Sequence, residues 1–84
     1  MQSVSVEIPI STLAALSESP EEFAREIRVA AAVKLYELAR LSQGKAAELA
    51  GLTRSGFIDA LSTYRVSPFQ YSAAEVAREL SDAD

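Results

Sequence analysis

A mainly α-helical fold with one short N-terminal β-strand is what the 84-residue sequence predicts. Three observations carry it. Only residues 4–10 alternate apolar and polar, the two-residue period of a half-buried strand. From residue 19 onward apolar residues recur every three or four positions, the period of helices. Helix-start residues stand at Ser19, Thr53 and Ser72. At this length the chain is one domain, 1–84.

Composition narrows the function before any motif is read. Hydrophobic residues are 49% and charged residues 24%, the balance of a globular chain and not of a disordered one. Cysteine and histidine are absent, which removes disulfides, zinc sites built on sulfur or nitrogen, thiol catalysis and the usual proton shuttle. There are no convincingly paired carboxylates, no glycine-rich phosphate loop and no nucleophile motif. The expectation is a non-enzyme with no catalytic residues, metal or cofactor. No run of 18 apolar residues exists, so no membrane role is expected. Met1-Gln2-Ser3-Val4 lacks the basic and apolar regions of a signal peptide, and a cytoplasmic location is expected.

In the strand, residues 1–11, Val4, Val6, Ile8 and Ile10 point one way and Ser3, Ser5, Glu7 and Pro9 the other. A lone strand leaves its backbone donors and acceptors unpaired. Pairing with the same strand of a second copy satisfies them and predicts a homodimer. The alternative is an extended arm lying on its own helices. Thr12 to Leu16 can add a short helical turn carried by Leu13 and Leu16.

Ser19-Pro20-Glu21-Glu22 starts the core helix, 19–41. Ser19 can cap, Pro20 fits the first helical position, and Glu22 completes a capping box. One face carries Phe23, Ile27, Ala30, Ala31, Leu35, Leu38 and Leu41, and a second carries Val29, Ala32, Val33, Tyr36 and Ala39. A helix apolar on two sides must be covered on two sides. The second stripe, with Val29, Val33 and Tyr36, is therefore expected to meet the second copy together with Val4, Val6 and Ile8. The alternative cover is the C-terminal segment folding back.

Residues 42–65 spell a helix-turn-helix. Counted from Gln43, position five is Ala47, small enough for two helices to cross closely; position nine is Gly51, able to take a positive φ in the turn. Leu52 at position ten is read as a buried plug, and Phe57, Ala60 and Leu61 as the contacts that pack the second helix on the first. The motif core is Ala47, Gly51, Leu52, Phe57 and Leu61. A plain helical hairpin shares this spacing. If the unit reads DNA, the second helix enters the major groove by its first turns. Arg54 can pair with guanine or phosphate, Thr53 and Ser55 can donate hydrogen bonds, and Ile58 can touch a thymine methyl. Ser62 continues this face, and Lys45 can hold the backbone. Asp59 on the same helix opposes a polyanion.

Charge is segregated. The net charge is −4, with a pI near 4.7. Arg25 to Arg65 holds seven basic and four acidic residues, a net +3, so the acidity lies in the flanks. With so few positive charges a monomer would bind DNA weakly at physiological salt, and a dimer doubles the phosphate contacts. The outward strand residues Ser3, Ser5 and Glu7 include no cation, which suits dimerisation and not base reading. Residues 66–84 complete the chain as an extended connector, with Phe69 and Tyr71 as aromatic anchors, and a C-terminal helix from the Ser72-Ala73-Ala74-Glu75 capping box to about Leu80.

The block Val33-Lys34-Leu35-Tyr36-Glu37-Leu38, the run Leu41 to Arg54 with Phe57 following, and the later Val66-Ser67-Pro68-Phe69-Gln70-Tyr71-Ser72-Ala73 with Glu75 resemble a small uncharacterised prokaryotic family with an antitoxin-like helix-turn-helix, often encoded beside PIN-domain ribonuclease toxins. The resemblance implies the antitoxin of a toxin–antitoxin pair, which binds its own operator DNA with one part and covers a PIN-domain-type toxin with another. It carries over at Lys45, Ala47, Gly51, Thr53, Arg54 and Phe57. Where that family often has a large aromatic residue and an acid after the arginine-like position, this chain has Ser55-Gly56. The second expectation, from a different class, is a protein-interaction module that engages a partner such as a toxin through Phe69, Tyr71 and the terminal helix without binding DNA.

Overall fold

The computed structural model describes residues 2–69 and contains four helices there: α1 (Ile10–Leu16), α2 (Pro20–Glu37), α3 (Gln43–Ala50) and α4 (Arg54–Thr63). The expected C-terminal helix and Tyr71 lie outside the described residues. Among the described residues no helix is long and apolar enough to cross a membrane.

No strand is present among the described residues. Residues 2–9 run without regular structure, and Val4 and Val6 are 88% and 69% exposed. The alternation from Val4 to Ile10 is real, but a strand exists only with a hydrogen-bonded partner, and one protomer offers none here. The far end of the expected strand is helical. Pro9, at φ −60° and ψ 138°, caps α1, and its carbonyl accepts from the Thr12 N–H at 3.0 Å, so Ile10 opens a helix.

α2 begins as its capping box dictates. The Glu22 N–H donates to Ser19 Oγ at 3.1 Å and the Ser19 N–H donates to Glu22 Oε1 at 2.8 Å, with Pro20 at the first helical position. The core forms on the face carrying Val29, Ala32, Val33 and Tyr36, at spacing i, i+3, i+4, i+7. α3 lies along this face and meets it with Ala46, Ala47 and Ala50, whose small side chains let the two helices approach closely. α4 crosses α3 and adds Phe57 and Leu61, both fully buried, and Val66 closes the end. Tyr36 is the hub. Its ring meets Phe57 edge-on, with centroids 5.9 Å apart and planes at 86°, and its hydroxyl donates to the Pro68 carbonyl at 2.8 Å.

This corrects the assignment of the two stripes. Val33 and Tyr36, expected to face a second copy, are 3% and 0% exposed within one chain, and Val29 packs on the same core. The longer stripe is the less covered one: Ile27 is 39% exposed and Leu38 53%, while Phe23, Ala30, Ala31 and Leu35 are half-buried. Counting apolar residues favoured the longer stripe. Shape decided for the shorter one, because a tyrosine between small residues fits the alanine face of α3.

α2 also stops earlier than the expected Leu41. Ala39 takes φ +59°, the Arg40 N–H donates to the Leu35 carbonyl at 2.8 Å, and the Ala39 N–H to that of Tyr36 at 2.9 Å. This left-handed end closes all four helices, with the turning residue being Ser17, Ala39, Gly51 and Arg65 in order. Only Gly51 escapes the steric cost of about 1–2 kcal/mol that a side chain pays there.

The α1–α2 corner titrates. Hydrogen bonds from the Ser19 backbone and then its side chain hold the Glu22 carboxyl below the usual carboxylate range. Glu18 is pushed the other way, first by desolvation and then by the nearby Glu26 charge and a proton shared with it; its Oε1 is shielded from solvent with no fixed donor. A carboxyl whose folded pKa is raised stabilises the fold below its ordinary pKa and loses that contribution as pH rises, whereas the lowered Glu22 contributes at neutral pH and loses its contribution in acid. Glu18→Gln is therefore expected to melt at a higher temperature than the wild type near about pH 7, with the gain vanishing near about pH 4. Thermal melts at the two pH values check this, and an equal difference at both would refute it.

Candidate nucleic-acid interface

α3 and α4, joined by a short turn, occupy the segment expected to be a helix-turn-helix, and local chemistry explains each joint. Ser42, fully buried, caps α3 by accepting from the Lys45 N–H at 3.1 Å. Gly51 ends α3 at φ +72°, and the Leu52 N–H donates back to the Ala47 carbonyl at 3.0 Å. Thr53 then caps α4 by accepting from the Gly56 N–H at 3.0 Å. Ser42 and Thr53 thus open the two helices by their caps, and Gly51 turns the chain between them by its missing side chain.

The expected motif core is partly as read. Ala47, Phe57 and Leu61 are buried. Leu52 is not a buried plug: it is 38% exposed and lies over α4. A side-chain carbon on Gly56 would come within 3.2 Å of Thr53 Oγ1 and 3.6 Å of the Leu52 Cβ. Gly56 therefore makes room for the turn itself, a reason the sequence does not display.

Every residue expected to meet DNA is exposed: Lys45, Thr53, Arg54, Ser55, Ile58 and Ser62. On α4 Arg54, Ile58 and Ser62 follow one another four residues apart along an exposed strip that borders buried Leu61, with Ser55 on its outer side. Asp59 is exposed as well. Lys45 pairs with Glu48 at 3.6 Å, an exposed contact that contributes little to stability. Arg54 reaches back to α3, where its Nη2 donates to Gln43 Oε1 at 3.4 Å. Between the helices a groove of 360 Å³ is lined by Gly44, Ala47, Glu48, Leu52 and Arg54.

Two residues of this unit were not singled out as site residues in the sequence. Gln43, only 5% exposed, holds Arg54. Arg28, on α2, donates from Nε to the Leu49 carbonyl at 2.8 Å, where a cation suits the negative end of α3. Both ties join residues far apart in sequence, so no local spacing announces them. The Arg28 guanidinium lies beside the turn: a side-chain carbon on Gly51 would meet it in ordinary contact, at 3.4 Å from one of its nitrogens. Gly51→Ala is thus expected to lower stability by about 1–2 kcal/mol from the positive φ alone. A urea unfolding curve measures it, and an unchanged midpoint would show that the turn tolerates a side chain.

No curated protein and no solved structure matches the chain. An uncharacterised protein family, UPF0175, has a family model that matches residues 1–84, and the chain belongs to that family.

Proposed function

We propose that the protein is a DNA-binding autoregulator that acts as a homodimer, and that it serves as the antitoxin of a toxin–antitoxin pair. The observation that carries the DNA reading is the outer face of α4. The capped turn fixes this helix on α3 through Phe57 and Leu61 and leaves Arg54, Ser55, Ile58 and Ser62 exposed along it. A helix of ten residues is about 15 Å long and enters a major groove about 12 Å wide end-first or along its axis. The antitoxin role and a PIN-type toxin partner rest on the sequence resemblance alone.

Two copies are needed because the motif region has a net charge of only +3, and phosphate contacts set affinity at physiological salt. With Val29, Val33 and Tyr36 used inside the protomer, the pairing surface moves to Val4, Val6 and Ile8 and to the outer stripe of α2 around Ile27 and Leu38. Exposed apolar residues along both support this choice.

Titration of the protein onto DNA from upstream of its own gene at two salt concentrations tests the reading. Steep loss of affinity with salt is expected, and absence of binding at the lower salt would reject it. The competing reading is a protein-interaction module without a DNA role. One observation favours it: Phe69 is 82% exposed, and aromatic side chains are common anchors at protein interfaces. Under that reading the DNA titration stays flat.

A further inference from the structure

We infer that Gln43 is a positioning residue for Arg54, and that the pair, bridging the first positions of α3 and α4, prepares the Arg54 guanidinium to read a guanine edge. This rests on the DNA reading of α4 and adds to it both a residue and a base.

Arg54 is misplaced for helix stability. It occupies the first position of α4, where the helix dipole disfavours a cation. Gln43 is also unusual, a nearly buried polar side chain at the first position of α3. Buried amides are kept where they make hydrogen bonds. Here the Oε1 atom accepts from Arg54 Nη2 at 3.4 Å across eleven residues. The two features explain one another if the arginine is held for a ligand.

The chemistry fits a base better than a phosphate. An arginine loses about 2 kcal/mol of rotamer freedom when fixed, and a second residue that already restrains it lowers that loss on binding. A phosphate contact tolerates a loosely held charge, which lysine supplies as well. A guanine contact needs the planar fork in register with O6 and N7. A guanidinium has five donors, so its bond to Gln43 is compatible with a two-pronged contact to the base.

The test uses the full chain and DNA from upstream of its gene, with each guanine in turn replaced by 7-deazaguanine, which lacks the N7 acceptor. Gln43→Met keeps the volume and removes the acceptor. Wild type is expected to lose about tenfold in affinity at one guanine when it is replaced. Gln43→Met is expected to bind unmodified DNA about tenfold more weakly and to be insensitive to that replacement, and adding it to Arg54→Ala should cost nothing more. A merely structural Gln43 would lower the melting temperature, leave the 7-deazaguanine effect intact and add fully to Arg54→Ala; that result overturns the inference while leaving DNA binding in place. Wild type that binds no DNA overturns the DNA reading and this inference together. If Gln43→Met does not fold, Arg54→Lys serves. It keeps the charge and loses the fork, so it must lose the 7-deazaguanine effect while keeping salt dependence; an unchanged effect overturns the inference.

Discussion

Tyr36→Ala is expected to remove a large part of the protein's stability. Truncating a large buried aromatic side chain costs about 3–5 kcal/mol, through lost transfer energy and the cavity left behind. Tyr36 is fully buried between α2, α3 and α4 and meets Phe57 edge-on at 5.9 Å. Its hydroxyl also holds the Pro68 carbonyl, which would be left without that donor. A domain this small has a total stability of roughly 4–13 kcal/mol, so one such loss removes a large part of it. Tyr36→Phe separates the two contributions. It keeps the ring and removes one hydrogen bond, and should cost about 1 kcal/mol. Urea unfolding of both variants by circular dichroism gives the numbers. The result also bears on the surface of any dimer. Were Tyr36 a contact between copies, Tyr36→Ala would yield a monomer; as an internal hub it yields a protein that unfolds at a much lower urea concentration.

That contrast shows where the sequence is legible. Helix starts at Ser19 and Thr53 and the turn at Gly51 are written in adjacent residues, because capping and a positive φ are local demands met by particular side chains. The end of α2 is not written there. Ala39 turns left-handed with no glycine to mark it, held by the bonds of Ala39 and Arg40 to the preceding turn. Which side of α2 faces inward is also a tertiary matter. The stripe with more apolar residues remains partly exposed at Ile27 and Leu38, while the shorter one wins the alanine face of α3. At Leu52, hydrophobicity suggested burial, but the side chain lines the open groove between α3 and α4 and stays 38% exposed. The exposed face of α4 was legible as spacing. The ties that shape it, Arg28 to Leu49 and Arg54 to Gln43, join residues 21 and 11 positions apart and appear only once the helices are packed.

Arg54→Ala should separate binding from folding. Arg54 is exposed and sits in the first turn of α4, where removing a cation relieves an unfavourable interaction with the helix dipole of about 0.3–1 kcal/mol. Its bond to Gln43, at 3.4 Å, is long and returns part of that. The melting temperature is therefore expected to stay within a few degrees of wild type. Affinity for the operator should fall by about 1–3 kcal/mol if Arg54 contacts a base. The salt dependence tells which partner is lost. A phosphate contact lowers the slope of log affinity against log salt by about one and weakens binding to all sequences alike; a base contact leaves most of the slope and erases preference at one position. Lys45→Ala is the natural control, because the proposed backbone contact of Lys45 predicts the first pattern. A folded Arg54→Ala protein that binds the operator as tightly as wild type would remove Arg54 from the interface. Binding would then have to come from Lys45 and the remaining exposed residues of α4, whose hydroxyl and apolar side chains supply no other cation on that face.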